Sequence, residues 1–306
     1  MEHYPVMLPE SIEWLDVRPE GTYLDATAGM GNHSRAIAAR LTSGKLVMHD
    51  RDGESLERAK AFTAEYAARI VAVRGRFSTL RETLDEFGIA KLDGLLADLG
   101  VSRPQLTEAG RGFSFQHAGP IDMRMSREEA VETAGDLLNF SSEQELARII
   151  ADLGEERRFA KKISRALVRA RPLHTTDQLA RAVESAVPRT GRMHPATQVF
   201  MALRLAVNSE LEEVEALMRL LPDLVAPGGR VVVISFHSLE DRIVKQFIRT
   251  HSQPPPSRRG LPPPPHAPLT LRALGSAQLP SAEEIERNPR ARSAVLRVAE
   301  RLEAAP

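Results

Sequence analysis

The 306-residue sequence contains no cysteine, which excludes disulfides and every metal site built on thiolates. Charge of either sign is not in excess. Lysine plus arginine number 41, aspartate plus glutamate 41, and the formal net charge is zero, so bulk charge does not announce a nucleic-acid partner. No run approaches the roughly twenty apolar residues that a membrane-spanning helix needs. The opening Met1-Glu-His-Tyr-Pro-Val6 lacks the cationic flank and apolar centre of a leader. A soluble cytoplasmic chain is expected, with no metal and no membrane partner. Its length allows one large domain or two, with ample core.

The stretch Asp25-Ala-Thr-Ala-Gly-Met-Gly-Asn-His-Ser34 carries the most information. It follows the apolar Thr22-Tyr23-Leu24 and leads into the helix-compatible Arg35-Ala-Ile-Ala-Ala-Arg40. Strand, glycine turn and helix together let a backbone approach a ligand closely, because Gly29 and Gly31 remove side chains that would collide. A second apolar run, Lys45-Leu-Val-Met-His49, ends on Asp50. An acid at a second strand tip is placed to accept from the hydroxyls of a ribose. A nucleoside-containing cofactor is therefore expected. A dinucleotide site would carry a third glycine where this chain has Ser34. Asp25 at the first strand tip suits an ammonium group better than a pyrophosphate, so the pattern fits S-adenosylmethionine better than NAD. Glycine turns also serve as plain strand-to-helix connections, and other residues must decide.

Apolar runs at Leu24, Leu46–Met48, Ile70–Val73 and Leu95–Ala97 alternate with helix-compatible sequence, which predicts a parallel sheet with helices on both faces. From about Gln105 to Asn208 no convincing strand is present. A strong strand returns at Gly229–Phe236, and Ser293–Ala299 is read as a last edge strand. The economical organisation is an α/β domain formed by residues 1–106 and 209–306, interrupted by a helical insertion at 107–208. The proline-rich 252–280 is read as a mobile loop.

Individual residues add chemistry. Asp98 ends the fourth strand, where open α/β sheets bind ligands, although a turn cap is the plainer alternative. Phe77 follows the third strand and can lie against an adenine or simply pack. His237 also stands at a strand tip, where a structural hydrogen bond is the commoner role. Around Glu155–Ala170, a period of about 100° per residue puts Phe159, Ile163, Ala166, Leu167 and Ala170 on one face. Arg158, Lys161, Lys162, Arg165 and Arg169 gather opposite, as a stripe able to follow a phosphate backbone or merely face solvent.

Ordered blocks along nearly the whole chain resemble the MraW/RsmH family, the bacterial ribosomal RNA small-subunit methyltransferases H. They are His3-Tyr-Pro-Val6, Asp25–Ser34, Asp98-Leu-Gly-Val-Ser-Arg-Pro-Gln-Leu106, Arg111-Gly-Phe-Ser-Phe115, Gly119-Pro-Ile-Asp-Met-Arg-Met125 and Gly154-Glu-Glu156. His194-Pro-Ala-Thr197, Val207-Asn-Ser-Glu-Leu211, Ser235-Phe-His-Ser-Leu-Glu-Asp241 and Asn288-Pro-Arg-Ala-Arg-Ser293 complete the set. The resemblance implies a class I S-adenosylmethionine-dependent methyltransferase with a Rossmann-like sheet and an inserted all-helical domain. Its implied target is the N4 amine of a cytosine in the decoding region of 16S rRNA, within the small ribosomal subunit. Implied cofactor contacts are Gly31, Asn32, His33, Asp50, Phe77, Asp98 and Gln105, beside Asp25 and Gly29 of the turn. Asn32 and Arg103 depart from the family's usual glycine and serine. Asparagine tolerates left-handed backbone angles, so the turn should survive.

The N4 lone pair of cytosine is delocalised into its ring, and acceptors that hold the N–H bonds localise it for in-line attack. Asp98 is divided between cofactor binding and this acceptor role, and His237 and Asp122 are further candidates. The helical insertion with its basic stripe is expected to grip RNA, with the target base unstacked; Arg258 and Arg259 in the proline-rich loop are weaker candidates. A homodimer is a further expectation. Rival readings are a cytosine-N4 methyltransferase acting on DNA or a small molecule, and a non-catalytic RNA-binding factor.

Overall fold

The structure, a computed structural model, describes residues 5–187, 194–255 and 267–303. His3, Arg258 and Arg259 lie outside the described residues. In chain order the first elements are α1 (Leu8–Leu15), β1 (Thr22–Asp25), α2 (Asn32–Ala38), β2 (Lys45–Asp50), α3 (Gly53–Phe62), β3 (Ile70–Arg74), α4 (Leu80–Glu86) and β4 (Leu92–Asp98). Helices follow: α5 (Arg103–Thr107), α6 (Ala134–Phe140), α7 (Glu143–Asp152), α8 (Ala160–Arg169), α9 (Thr176–Ala186), α10 (Ala196–Asn208) and α11 (Glu210–Leu224). Last come β5 (Val225–Ser235), α12 (Ser238–Ser252), β6 (Leu271–Ala273), α13 (Ala282–Arg287) and β7 (Val295–Arg301). The chain divides into two compact units, Met1–Gly100 with Leu211–Pro306, and Val101–Glu210.

The first unit holds one seven-stranded sheet in the order β3-β2-β1-β4-β5-β7-β6. Its first five strands pair in parallel, as the alternation of apolar runs predicts, and β7 pairs antiparallel with β5 and β6. Side chains alternate across a strand, which sorts the buried residues onto two faces. Leu24, Leu95, Val231 and Val233 share one cluster with Leu217 and Leu221 of α11 and Val244 of α12. Tyr23, Leu96, Val232 and Ile234 share the other with Ile12 of α1 and Ile37 of α2. Burial on both faces explains why these strands read as continuous apolar runs.

Two expectations need correction. β7 is not an edge strand; β6 lies outside it, inside the stretch read as loop. Three residues, two of them exposed, are too short a pattern to recognise, and β6 exists because β7 offers it a free edge.

The second unit is helical among its described residues. Leu146 and Ile150 of α7, Ile163 and Leu167 of α8, Val183 of α9 and Leu203 of α10 form its centre. Thr133 and Thr175 start α6 and α9 with reciprocal capping boxes, which satisfy N–H groups the helix itself cannot. In α8, Ile163 and Leu167 are buried as their spacing predicts, but Ala170 is exposed because the helix stops at Arg169.

Candidate active site

Strand order reverses at β1, whose neighbours are β2 and β4, and the chain opens there. The Ala26 N–H bonds to Leu96 on β4, while the Ala28 N–H bonds to His49 on β2. Such a switch point at strand C-terminal ends is where α/β sheets hold ligands.

Gly29 and Gly31 both adopt left-handed angles, φ 53° and 85°. At Gly31 an added Cβ would stand 3.1 Å from Ala59 Cα and 3.2 Å from Ala59 O, so α3 itself demands glycine. Asn32 is already helical, and the left-handed tolerance invoked for it is not called upon. Beneath the turn lies Asp25, 0% exposed. One of its oxygens accepts the Ser34 hydroxyl at 2.6 Å and the other the Thr27 N–H at 3.2 Å. Burial pushes its carboxyl up to about 6, against the pull of these hydrogen bonds. The sequence placed Asp25 against a ligand's ammonium; in the structure the carboxyl is fully buried and its hydrogen bonds fix the turn.

Asp50 ends β2 and faces the same turn. The Gly29 N–H donates to one oxygen at 2.7 Å and the Asp52 N–H to the other at 2.8 Å. Each oxygen keeps a further lone pair for a hydroxyl donor. Burial dominates its titration and pushes it up to about 7, with Asp52 and Asp25 adding to the rise. Beside it, His49 is 1% exposed and donates from Nδ1 to the Ala26 carbonyl at 3.0 Å. Burial holds its pKa below the ordinary value, so the ring is neutral. Its centroid lies 6.0 Å from that of half-buried Phe77. Phe77 is anchored by the next residue: Ser78 donates its N–H and hydroxyl to Glu213 on α11, at 3.0 and 2.9 Å.

Asp98 ends β4, and its N–H donates to Thr27 Oγ1 at 2.6 Å. Its side chain is 24% exposed, with Oδ2 3.8 Å from His33 Nδ1. Oδ1 is buried and accepts no hydrogen bond among the described residues. Burial, then the carboxylates of Asp25, Glu240 and Glu284, raise its pKa well above the usual range. The result is a carboxyl of raised pKa with one buried oxygen that accepts no hydrogen bond among the described residues.

His237 is the N-cap of α12. Its Nδ1 accepts the Glu240 N–H at 3.5 Å and Nε2 stands 3.0 Å from Glu240 Oε1. Nδ1 thus serves the helix cap, while Nε2 is buried without a hydrogen bond among the described residues. Gln105 and Asp122 belong to the second unit. Gln105 is buried, and its Oε1 accepts the Ser102 N–H at 2.9 Å in the capping box of α5. Asp122 is gripped by Arg124 at 2.8 and 3.0 Å. Burial would raise its carboxyl, but the Arg124 hydrogen bonds win and hold it below the usual range, which makes Asp122 a poor base.

The basic stripe divides. Lys161, Lys162, Arg165 and Arg169 are exposed on α8, whereas Arg158 precedes the helix and lies 4.9 Å over the Phe159 ring. Arg165 approaches Glu143 at 3.4 Å. Among the described residues no carboxylate pairs with Lys161, Lys162 or Arg169. Thr27, Ser34, His49 and Glu213 escaped sequence reasoning as site residues. Ser34 and Thr27 sit inside the quoted turn, but nothing in sequence brings Glu213 to Ser78.

Comparison with known proteins fits a glycine turn between two strand-tip acids. The chain matches the MraW methylase family over residues 1–302. It belongs to that family. A protein of Solibacter usitatus named ribosomal RNA small subunit methyltransferase H is 51% identical over 298 residues, covering 97% of this chain and 99% of that protein. One of the same name from Acidobacterium capsulatum is 47% identical, covering 98% of each. As a MraW methylase the chain has a methyl-transfer chemistry to perform. Among the described residues no group of His, Asp and Glu is arranged to hold a metal ion, and no helix is long and apolar enough to cross a membrane.

Proposed function

We propose that this chain methylates ribosomal RNA of the small subunit, using S-adenosylmethionine, at the N4 amine of a cytosine in the decoding region. Membership of the MraW methylase family and full-length relatives bearing the small-subunit methyltransferase name support the reaction and the substrate class. The observation that carries the chemistry is the Asp98 carboxyl at the switch point, with a raised pKa and a buried, uncommitted Oδ1.

The residues present fit the cofactor. Asp50 has lone pairs left for a ribose diol, and the half-buried Phe77 ring offers a face to adenine. Gly29 and Gly31 keep the turn bare, with Asn32 and His33 at the start of α2 beside it. When bound, S-adenosylmethionine supplies an electrophilic methyl group on a sulfonium. Asp98 accepts an N–H of the target amine, localising its lone pair, and takes the proton the amine must lose. The raised pKa makes its carboxylate a stronger base than an ordinary one. His33, beside Asp98, steadies the carboxylate. The exposed cations of α8 hold the RNA backbone.

The test offers the protein labelled S-adenosylmethionine with three acceptors: unmodified small subunits, free 16S rRNA and single-stranded DNA. Label in N4-methylcytidine from subunits alone is the expected result. Transfer to DNA or to another nucleoside would replace the assigned substrate.

A further inference from the structure

We propose that Phe140 is a stacking platform for an unpaired RNA base, set at the edge of the basic face of α8. Phe140 is 83% exposed, more than any other large hydrophobic side chain among the described residues. A ring left in water contributes little to folding and is free to meet a partner. Phe62, also exposed, has one already, because the Arg35 guanidinium lies 5.0 Å over its ring. Phe140 has no ring or cation partner among the described residues.

Its mounting is rigid. Phe140 is the last residue of α6, and Arg171 clamps the backbone on both sides of it. The Arg171 guanidinium donates to the Leu138 carbonyl at 2.7 Å and to the Ser141 carbonyl at 2.5 Å. The neighbouring Asn139 exchanges two hydrogen bonds with Leu173, at 2.8 and 2.9 Å. The backbone that carries the ring therefore has little freedom to lose when it meets a ligand, which favours binding.

The surroundings select the ligand. Glu143, at the start of α7, approaches Arg165 on α8. From Arg165 the helix carries Lys161, Lys162 and Arg169, none paired with a carboxylate among the described residues. An exposed ring on α6, which packs against α8, together with the cations that α8 carries matches a single strand, whose bases stack on the ring while its phosphates meet the charges. Duplex RNA presents neither free base faces nor a readable major groove to such a surface. A second copy of this chain would bring the same cations to the contact and be repelled.

The proposal rests on the ribosomal RNA reading, but its test does not require methyl transfer. Small subunits lacking the modification, and separately a single-stranded oligoribonucleotide, are titrated against wild type, Phe140→Ala, Phe140→Leu and Phe140→Trp. All four should show the same thermal midpoint, because the side chain is exposed. The alanine variant is expected to weaken RNA binding and raise the subunit KM by about 5- to 150-fold, the range seen when one base–aromatic stack is lost. Its kcat and its affinity for S-adenosylmethionine should be unchanged. Tryptophan should restore binding and leucine should not. Equal binding by wild type and Phe140→Ala would overturn the proposal. So would full rescue by leucine, or a wild-type dimer that Phe140→Ala dissociates in sedimentation. Phe140-dependent oligoribonucleotide binding without methylation of any ribosomal acceptor would instead sink the substrate reading and leave the platform standing.

Discussion

Asp50 makes the affinity for cofactor depend on pH in a calculable way. Its carboxyl is pushed up to about 7, chiefly by burial. A ribose diol needs an acceptor, so the ionised form is the one that binds. One unit below the pKa only about a tenth of the protein carries that form, and the apparent Kd should be about tenfold weaker than its plateau, or about 1.4 kcal/mol. The sign is fixed: affinity rises with pH through 7 and levels off near 8. Calorimetry in two buffers of different ionisation enthalpy should show close to one proton released per ligand at pH 6. The amino group of S-adenosylmethionine titrates nearby, so the decisive ligand is 5′-methylthioadenosine, which keeps the ribose and adenine and lacks the amino acid. Asp50→Asn should bind it weakly and without pH dependence. A Kd for 5′-methylthioadenosine that stays flat from pH 6 to 8 in wild type would refute the assignment of Asp50 to the ribose.

Other expectations follow from the same geometry. Gly31→Ala should cost both left-handed strain, about 1–2 kcal/mol, and the clash with Ala59, whereas Gly88→Ala, with φ 66° and open space around it, should cost the strain alone; thermal midpoints of the two variants separate the contributions. Glu213→Ala removes both acceptors of Ser78 and should weaken cofactor binding a few-fold through Phe77 while leaving subunit binding intact, as equilibrium titration would show. Asp25 titrates at about 6 in the fold against 3.8 ordinarily, so the native state binds the extra proton and stability falls as pH rises between these values, by up to about 3 kcal/mol. Urea melts of wild type and Asp25→Asn should therefore diverge from pH 4 to 7, with wild type losing ground. Replacing Lys161, Lys162 and Arg165 by alanine should weaken subunit binding and flatten its salt dependence, with cofactor affinity unchanged.

The parallel strands were legible because burial on both faces writes them as unbroken apolar runs, and each lies within a few residues of its expected place. β6 was not legible. Leu271-Arg-Ala273 has no pattern of its own and is strand only because β7 pairs with it. The turn was legible through its glycines and its acids, but the sequence could not divide the acids by role. Asp25 and Asp50 both end strands; only the structure shows the first fully buried and the second partly open. Glu213 is one acid in a run of them, and what distinguishes it is the packing of α11 beneath the sheet. His237 illustrates a further case, a histidine at a strand tip whose Nδ1 caps the following helix, a contact no spacing in the sequence announces.

The central claim is that Asp98 accepts the proton of a methylated ribosomal amine. Its most direct test is methyl transfer from labelled S-adenosylmethionine to small subunits lacking the modification, with the product nucleoside identified by mass spectrometry and cofactor affinity measured in parallel. N4-methylcytidine should form with wild type, and Asp98→Asn should lose transfer by orders of magnitude while still binding cofactor. Undiminished transfer by Asp98→Asn, or label in a different nucleoside, would contradict the account.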